Sequence, residues 1–164
     1  ILQRVVKVMS MPELAPLFGQ GALAEVPING RINGIGVAGQ IDRLYVGDDR
    51  IILADFKTGQ RPHGAAPNSY IEQMALYDAL LSQIYQGRDI ACWLVWTHSQ
   101  FIEDITVDQR QQALQRLFAD RQGKKSCSVC LTVPLQAHKF NLRGAVAANF
   151  RRYLAAPLNQ IWGG

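Results

Sequence analysis

The chain has 164 residues, 48% of them hydrophobic, a length that suits one globular domain able to bury well over half of its unfolded surface. No apolar run approaches the roughly 18 residues of a membrane span and no signal-peptide pattern is present, which argues against an integral membrane or secreted protein and for a cytoplasmic one. A formal charge of +4 and a pI near 9.2 favour an anionic partner, although much of the excess lies in Lys124, Lys125, Lys139, Arg143, Arg151 and Arg152 near the carboxyl end.

In chain order, Ile1, Val5, Val6 and Val8 form a helix-compatible stripe, which reads as the continuation of an upstream helix in a longer protein. Pro12 can open a short turn that runs to Phe18 and stops at Gly19 and Gly21. Alternation predicts a strand over residues 23–28, a turn at Asn29-Gly30 and a long strand over 35–46. Asp48-Asp49 then reads as a two-residue turn into a return strand over 50–57. Residues 60–68, with Pro62, Gly64 and Pro67, form an exposed loop. Ser69 is the expected N-cap of a helix that reaches about Gln86, with Glu72 at its capping-box position. Strands over 89–97 and 101–106 and a helix over 107–118 follow. Beyond Asp120 the chain is polar and basic to Ser128, and residues 145–154 are helix-compatible; this tail is a packed subdomain, a disordered extension or a divergent end.

Three residues contradict their surroundings. Asp42, Asp55 and Lys57 stand in apolar strands that should bury apolar groups. A turn at Asp48-Asp49 pairs residues whose numbers sum to 97, so Asp42 faces Asp55 on one sheet face, with Cβ atoms about 5 Å apart. Lys57, two residues on, points to the same side. Two such carboxylates repel unless a cation lies between them, and hard oxygen donors favour Mg²⁺ or Mn²⁺ with retained waters. A metal so placed polarises a phosphoryl oxygen, and Lys57 can orient a nucleophile or stabilise developing negative charge. The plainer reading is an Asp42 paired with Arg43 or Arg61 and an Asp55 that ends an edge strand. Gln73 and Tyr77 are spaced i and i+4, which puts both on one helix face.

Taken together, Gly39-Gln40-Ile41-Asp42-Arg43, Asp55-Phe56-Lys57-Thr58-Gly59 and Gln73-Met74-Ala75-Leu76-Tyr77 resemble the successive motifs of the RecB-type PD-(D/E)XK nucleases. The likeness is greatest to the C-terminal nuclease domain of AddA-type helicase-nuclease subunits of bacterial double-strand-break repair, and it covers residues 11–107. It implies an α/β, restriction-endonuclease-like core, a mixed central sheet flanked by helices. Residues 1–120 would be the nuclease core and 121–164 a basic extension.

The resemblance further implies that Asp42 and Asp55 hold Mg²⁺ or Mn²⁺, that Lys57 is the catalytic lysine, and that Gln73 and Tyr77 belong to the helix that braces the site and hold Lys57 or the DNA backbone. Glu25 resembles the family's acidic position on the first strand and either completes the metal site or is an ordinary exposed strand glutamate. Arg43, Arg61 and Gln73 are the candidate DNA contacts. The metal-site residue that relatives supply from an earlier helix has no counterpart in residues 1–17. Partners implied are DNA, helicase domains upstream in the same chain and a second helicase-nuclease subunit, with no membrane.

The alternative is a catalytically incomplete module that binds DNA or docks a helicase. No phosphate-binding loop of the Gly-x-x-x-x-Gly-Lys-Ser/Thr kind occurs, so no ATP site is expected in these residues. Three cysteines, Cys92, Cys127 and Cys130, are too few for a four-cysteine iron-sulfur cluster, and none is expected; Cys92 reads as a small buried hydrophobe.

Overall fold

Strand β3, Arg50–Lys57, is apolar on both faces, and that pattern dictates a layer of helices on each side of the sheet. The computed structural model describes the backbone of residues 2–119 and 131–132. Its sheet runs in the order β1 (Ala22–Ile32), β2 (Ile35–Val46), β3, β4 (Asp89–Trp96), β5 (Phe101–Asp104), and β6 (Leu131–Thr132) also pairs with β2. β1, β2 and β3 are antiparallel neighbours, β3 and β4 are parallel, and β5 returns antiparallel to β4. The parallel step needs a crossover, supplied by helix α3, Asn68–Ile84. This is the mixed, helix-flanked sheet that the family resemblance implied.

One face carries α3 and α4 (Val107–Ala119). Ile28, Leu44, Ile51, Leu53, Cys92 and Leu94 pack there against Met74, Tyr77, Leu80 and Ala113. The other face carries α1 (Leu2–Met9), a single 3-10 turn at Pro12–Leu14 and α2 (Ala15–Phe18), from which Val8, Leu14 and Leu17 bury Ile52, Ala54 and Val95. Burial of each such aliphatic side chain is worth roughly 1.5–3 kcal/mol, and the helices of both faces clamp the short central strand.

Two local expectations shift. The β1–β2 turn forms at Asn33-Gly34, not at Asn29-Gly30; Asn33 and Gly34 have φ of 50° and 79°, while Asn29 and Gly30 pair with Ala38 and Val37 within the ladder. Both dipeptides suit a type I′ turn. The later one pairs Ile32 with Ile35 and Val26 with Ile41, so apolar side chains meet across the strands and settle the choice. Helix α3 begins at Asn68 with Pro67 as N-cap, whose carbonyl accepts from the N–H groups of Tyr70 and Ile71; proline has no side-chain acceptor, so there is no side-chain cap. Ser69 therefore lies inside the first turn and Glu72 beyond it, and the two form no capping box. Cys92 is buried as expected; Cys127, Cys130 and the helix-compatible stretch 145–154 lie outside the described residues. Leu131–Thr132, beyond the anticipated boundary at 120, lie in the sheet beside Val37 and Ala38. No helix among the described residues is long and apolar enough to cross a membrane.

Candidate active site

The hairpin turn forms as its residues demand: Gly47 N–H donates to the Arg50 carbonyl across Asp48-Asp49, and Arg88 donates to the carbonyls of Gly47 and Asp48. Pairing then runs Val46↔Ile51 to Arg43↔Ala54, every pair summing to 97, which places Asp42 opposite Asp55 one step past the last bridged pair. There the sheet forks. β1 occupies one edge of β2 throughout, so β6 at Val37 and Ala38 lies along the same edge that β3 occupies farther on. Between these two partners the N–H of Phe56 donates to Asp42 Oδ2 at 3.0 Å. A side-chain carboxylate thus continues a ladder from which the backbone has departed.

Asp55 and Lys57 project on the α3 side and are each 4% exposed. Desolvating two charges costs several kcal/mol per ion unless geometry and hydrogen bonds offset it. Both are supplied: Lys57 Nζ lies 2.7 Å from Asp55 Oδ2, the Gln73 amide nitrogen donates to Asp55 Oδ1 at 2.9 Å, and Lys57 Nζ donates to Gln73 Oε1 at 3.2 Å. One amide therefore closes a ring with the ion pair. Tyr77, one turn along α3, has its hydroxyl 3.4 Å from the Gln73 amide nitrogen and accepts the backbone N–H of Gln40 at 3.1 Å. Asp42, Asp55, Lys57, Gln73 and Tyr77 thus converge from β2, β3 and α3 on the fork.

An outer group escaped the sequence reading. Lys57 Nζ sits 3.9 Å from the centre of the Tyr70 ring, and that ring lies 6.0 Å from Trp96. Glu103 on β5 accepts from the Trp96 indole at 2.9 Å and from the Ala66 N–H at 3.0 Å, and pairs with Arg61 at 3.5 Å. It ties the loop between β3 and α3 to the sheet. The available signal was strand alternation, which puts Glu103 and Phe101 on the face of Leu94 and Trp96, their register partners.

Two candidates stand apart. Arg43 is paired with Ala54, so it faces α2, where its guanidinium lies 5.1 Å over the Phe18 ring, on the side opposite Lys57. Burial lowers its pKa, an effect that the charges of Glu25 and Asp42 oppose. Glu25 is exposed and has a φ of 52°, which interrupts the regular strand; its carbonyl accepts from the Gln40 side chain. No three His, Cys, Asp or Glu side chains among the described residues form a group that could hold a metal.

The donor chemistry at the fork still suits a hard divalent cation. Both acids offer carboxylate oxygens, and Mg²⁺ is commonly held by one or two carboxylates with water and substrate phosphate filling the remaining positions. A cage made of protein atoms alone is not required.

The model of the PD-(D/E)XK nuclease superfamily matches residues 7–135. Among solved structures, a protein of Eubacterium rectale provisionally designated an exonuclease is similar in fold: TM-score 0.55, 14% identity, 74% of this chain and 50% of that one covered. This chain therefore spans about half of that protein's length. A second structure, of the protein SSO0001, gives a TM-score of 0.41 at 15% identity over 70% of this chain and 59% of that one. No curated protein matches.

Proposed function

From the premise that the chain belongs to the PD-(D/E)XK nuclease superfamily, we propose that it hydrolyses phosphodiester bonds of DNA with the aid of Mg²⁺ or Mn²⁺. The observation that carries this reading is the Asp55–Lys57–Gln73 ring buried beside Asp42 at the fork of the sheet. Asp42 and Asp55 would hold the ion, which when bound supplies Lewis acidity toward a phosphoryl oxygen and a lowered pKa for bound water.

The protein's own groups perform the positioning. Lys57, held by Asp55 and Gln73 and resting on Tyr70, presents a fixed ammonium to the phosphate or the attacking water. Gln73 keeps Lys57 and Asp55 in register, and Tyr77 ties that amide to the backbone of β2 at Gln40. Arg61, in the loop beside β5, adds a second cation on this side for a DNA phosphate. Arg43, turned to the other face, is not assigned that task.

Exonucleolytic action on single strands, and service beside helicase domains of an AddA-type helicase-nuclease, are the finer parts of the proposal; the motif resemblance supports them. Titration of the chain with Mn²⁺ and labelled oligodeoxynucleotides tests it. Divalent-dependent cleavage that disappears in Asp55→Ala and Asp42→Ala is the expected result. Equal cleavage by both variants, or none by the parent chain under any divalent ion, would refute hydrolysis at this site.

A further inference from the structure

One rung of the sheet runs Lys57, Trp96, Phe101 across β3, β4 and β5. At roughly 4.8 Å per strand step, Phe101 lies about 10 Å from Lys57 on the same face. Between them Tyr70 touches both Lys57 and Trp96. Phe101 itself is 40% exposed, unlike the buried Trp96 beside it. The Arg61 guanidinium lies 4.1 Å from its ring centre and is in turn held by Glu103, which also grips Trp96 and the loop at Ala66.

An exposed ring paired with an anchored, planar cation offers what an unpaired base and its phosphate require: a face for stacking and a charge for the backbone. A base within a duplex has both faces covered by its neighbours and cannot use such a surface. We propose that Phe101 and Arg61 form a stacking platform for an unpaired base of a single-stranded substrate. The base so held lies two to three nucleotides from the phosphate at Lys57, given a stacked rise of about 3.4 Å per nucleotide. The assignment rests on the nuclease reading above for its substrate, and goes beyond it in naming where the strand is held.

The test is fluorescence anisotropy of the 164-residue chain with a labelled oligodeoxythymidylate and with a hairpin duplex, in EDTA so that nothing is cut. Phe101→Leu, which keeps an apolar side chain at an exposed position, should weaken single-strand binding about five- to hundredfold, with little change for duplex. Phe101→Trp should retain the parent affinity. Thermal melts verify folding of each variant. Unchanged single-strand affinity in Phe101→Leu, equal loss for both DNA forms, failure of Phe101→Trp to bind, or no single-strand binding by the parent chain would each overturn the platform. A separate cleavage assay distinguishes the two readings. Cutting that is lost in Asp55→Ala, with binding indifferent to position 101, leaves the nuclease and removes the platform. Single-strand binding that depends on Phe101 without any divalent-dependent cutting does the reverse.

Discussion

Tyr77 occupies the space that a side chain at position 39 would need. A Cβ on Gly39 would lie 2.6 Å from the ring's Cε1 and closer still to the hydroxyl, and the same hydroxyl accepts the N–H of Gln40. The glycine that opens the Asp42 motif is therefore there for α3, which carries Gln73 one turn before Tyr77.

Gly39→Ala should cost about 1–3 kcal/mol, the usual range for forcing extra volume into a packed site. Urea denaturation checks it. Because the clash is with a single side chain, the cost should shrink in a Tyr77→Ala background, a non-additivity that a double-mutant cycle reads directly.

Gln73→Met keeps the volume and removes both bonds to the Asp55–Lys57 pair. Loss of a buried amide's partners costs about 1–3 kcal/mol. Removal of groups that orient ligands typically costs 10- to 100-fold in activity or metal affinity. The expected outcome is a folded protein whose cleavage falls within that range, measured by Mn²⁺-dependent rates; an unchanged rate would show that the ring has no part in orienting Lys57.

Glu103→Ala releases three partners at once: the Ala66 N–H, the Trp96 indole and Arg61. The loop over residues 58–67 should then open more readily, seen as faster amide exchange and proteolysis within it. Stability should drop by about 2 kcal/mol, chiefly from the two hydrogen bonds, since an ion pair this exposed adds little.

Cys92, in the core beneath α3 and α4, supplies a pH test. Burial pushes its thiol from 9.0 up to about 12, so the folded state holds that proton more tightly than the unfolded state. Its contribution is whole below pH 9 and is lost as pH rises from 9 toward 12. Three units at about 1.4 kcal/mol each set a ceiling on the order of 4 kcal/mol. Cys92→Ala removes this term, so the stability gap between parent and variant, measured by urea melts from pH 8 to pH 11, should narrow as pH rises. In a Cys127→Ser, Cys130→Ser background the remaining thiol should resist disulfide reagents until the protein unfolds.

The register of the hairpin that carries Asp42 and Asp55 could be read in advance because a two-residue turn leaves only one pairing, and strand alternation then assigns faces. Helix spacing likewise brought Gln73 and Tyr77 together. The choice between Asn29-Gly30 and Asn33-Gly34 could not be read locally, since both have the same turn chemistry and only cross-strand apolar pairing separates them. Arg43 was grouped with the site because it adjoins Asp42; its pairing with Ala54 turns it to the face opposite Lys57. Glu103 lies 48 positions beyond Asp55, and its role arises only where β5 folds back on β4.

Periodicity, turn residues and the placing of charges in apolar strands depend on neighbours within a few positions, and they were enough to specify the order of the elements and two acids and a lysine at one hairpin; the mixed sheet came from the family resemblance. The fork that admits the Asp42 carboxylate, the amide ring around Lys57 and the anchoring of the loop by Glu103 arise from contacts between segments tens of residues apart. Such contacts are set by how helices and strands pack in three dimensions, and no local pattern encodes them.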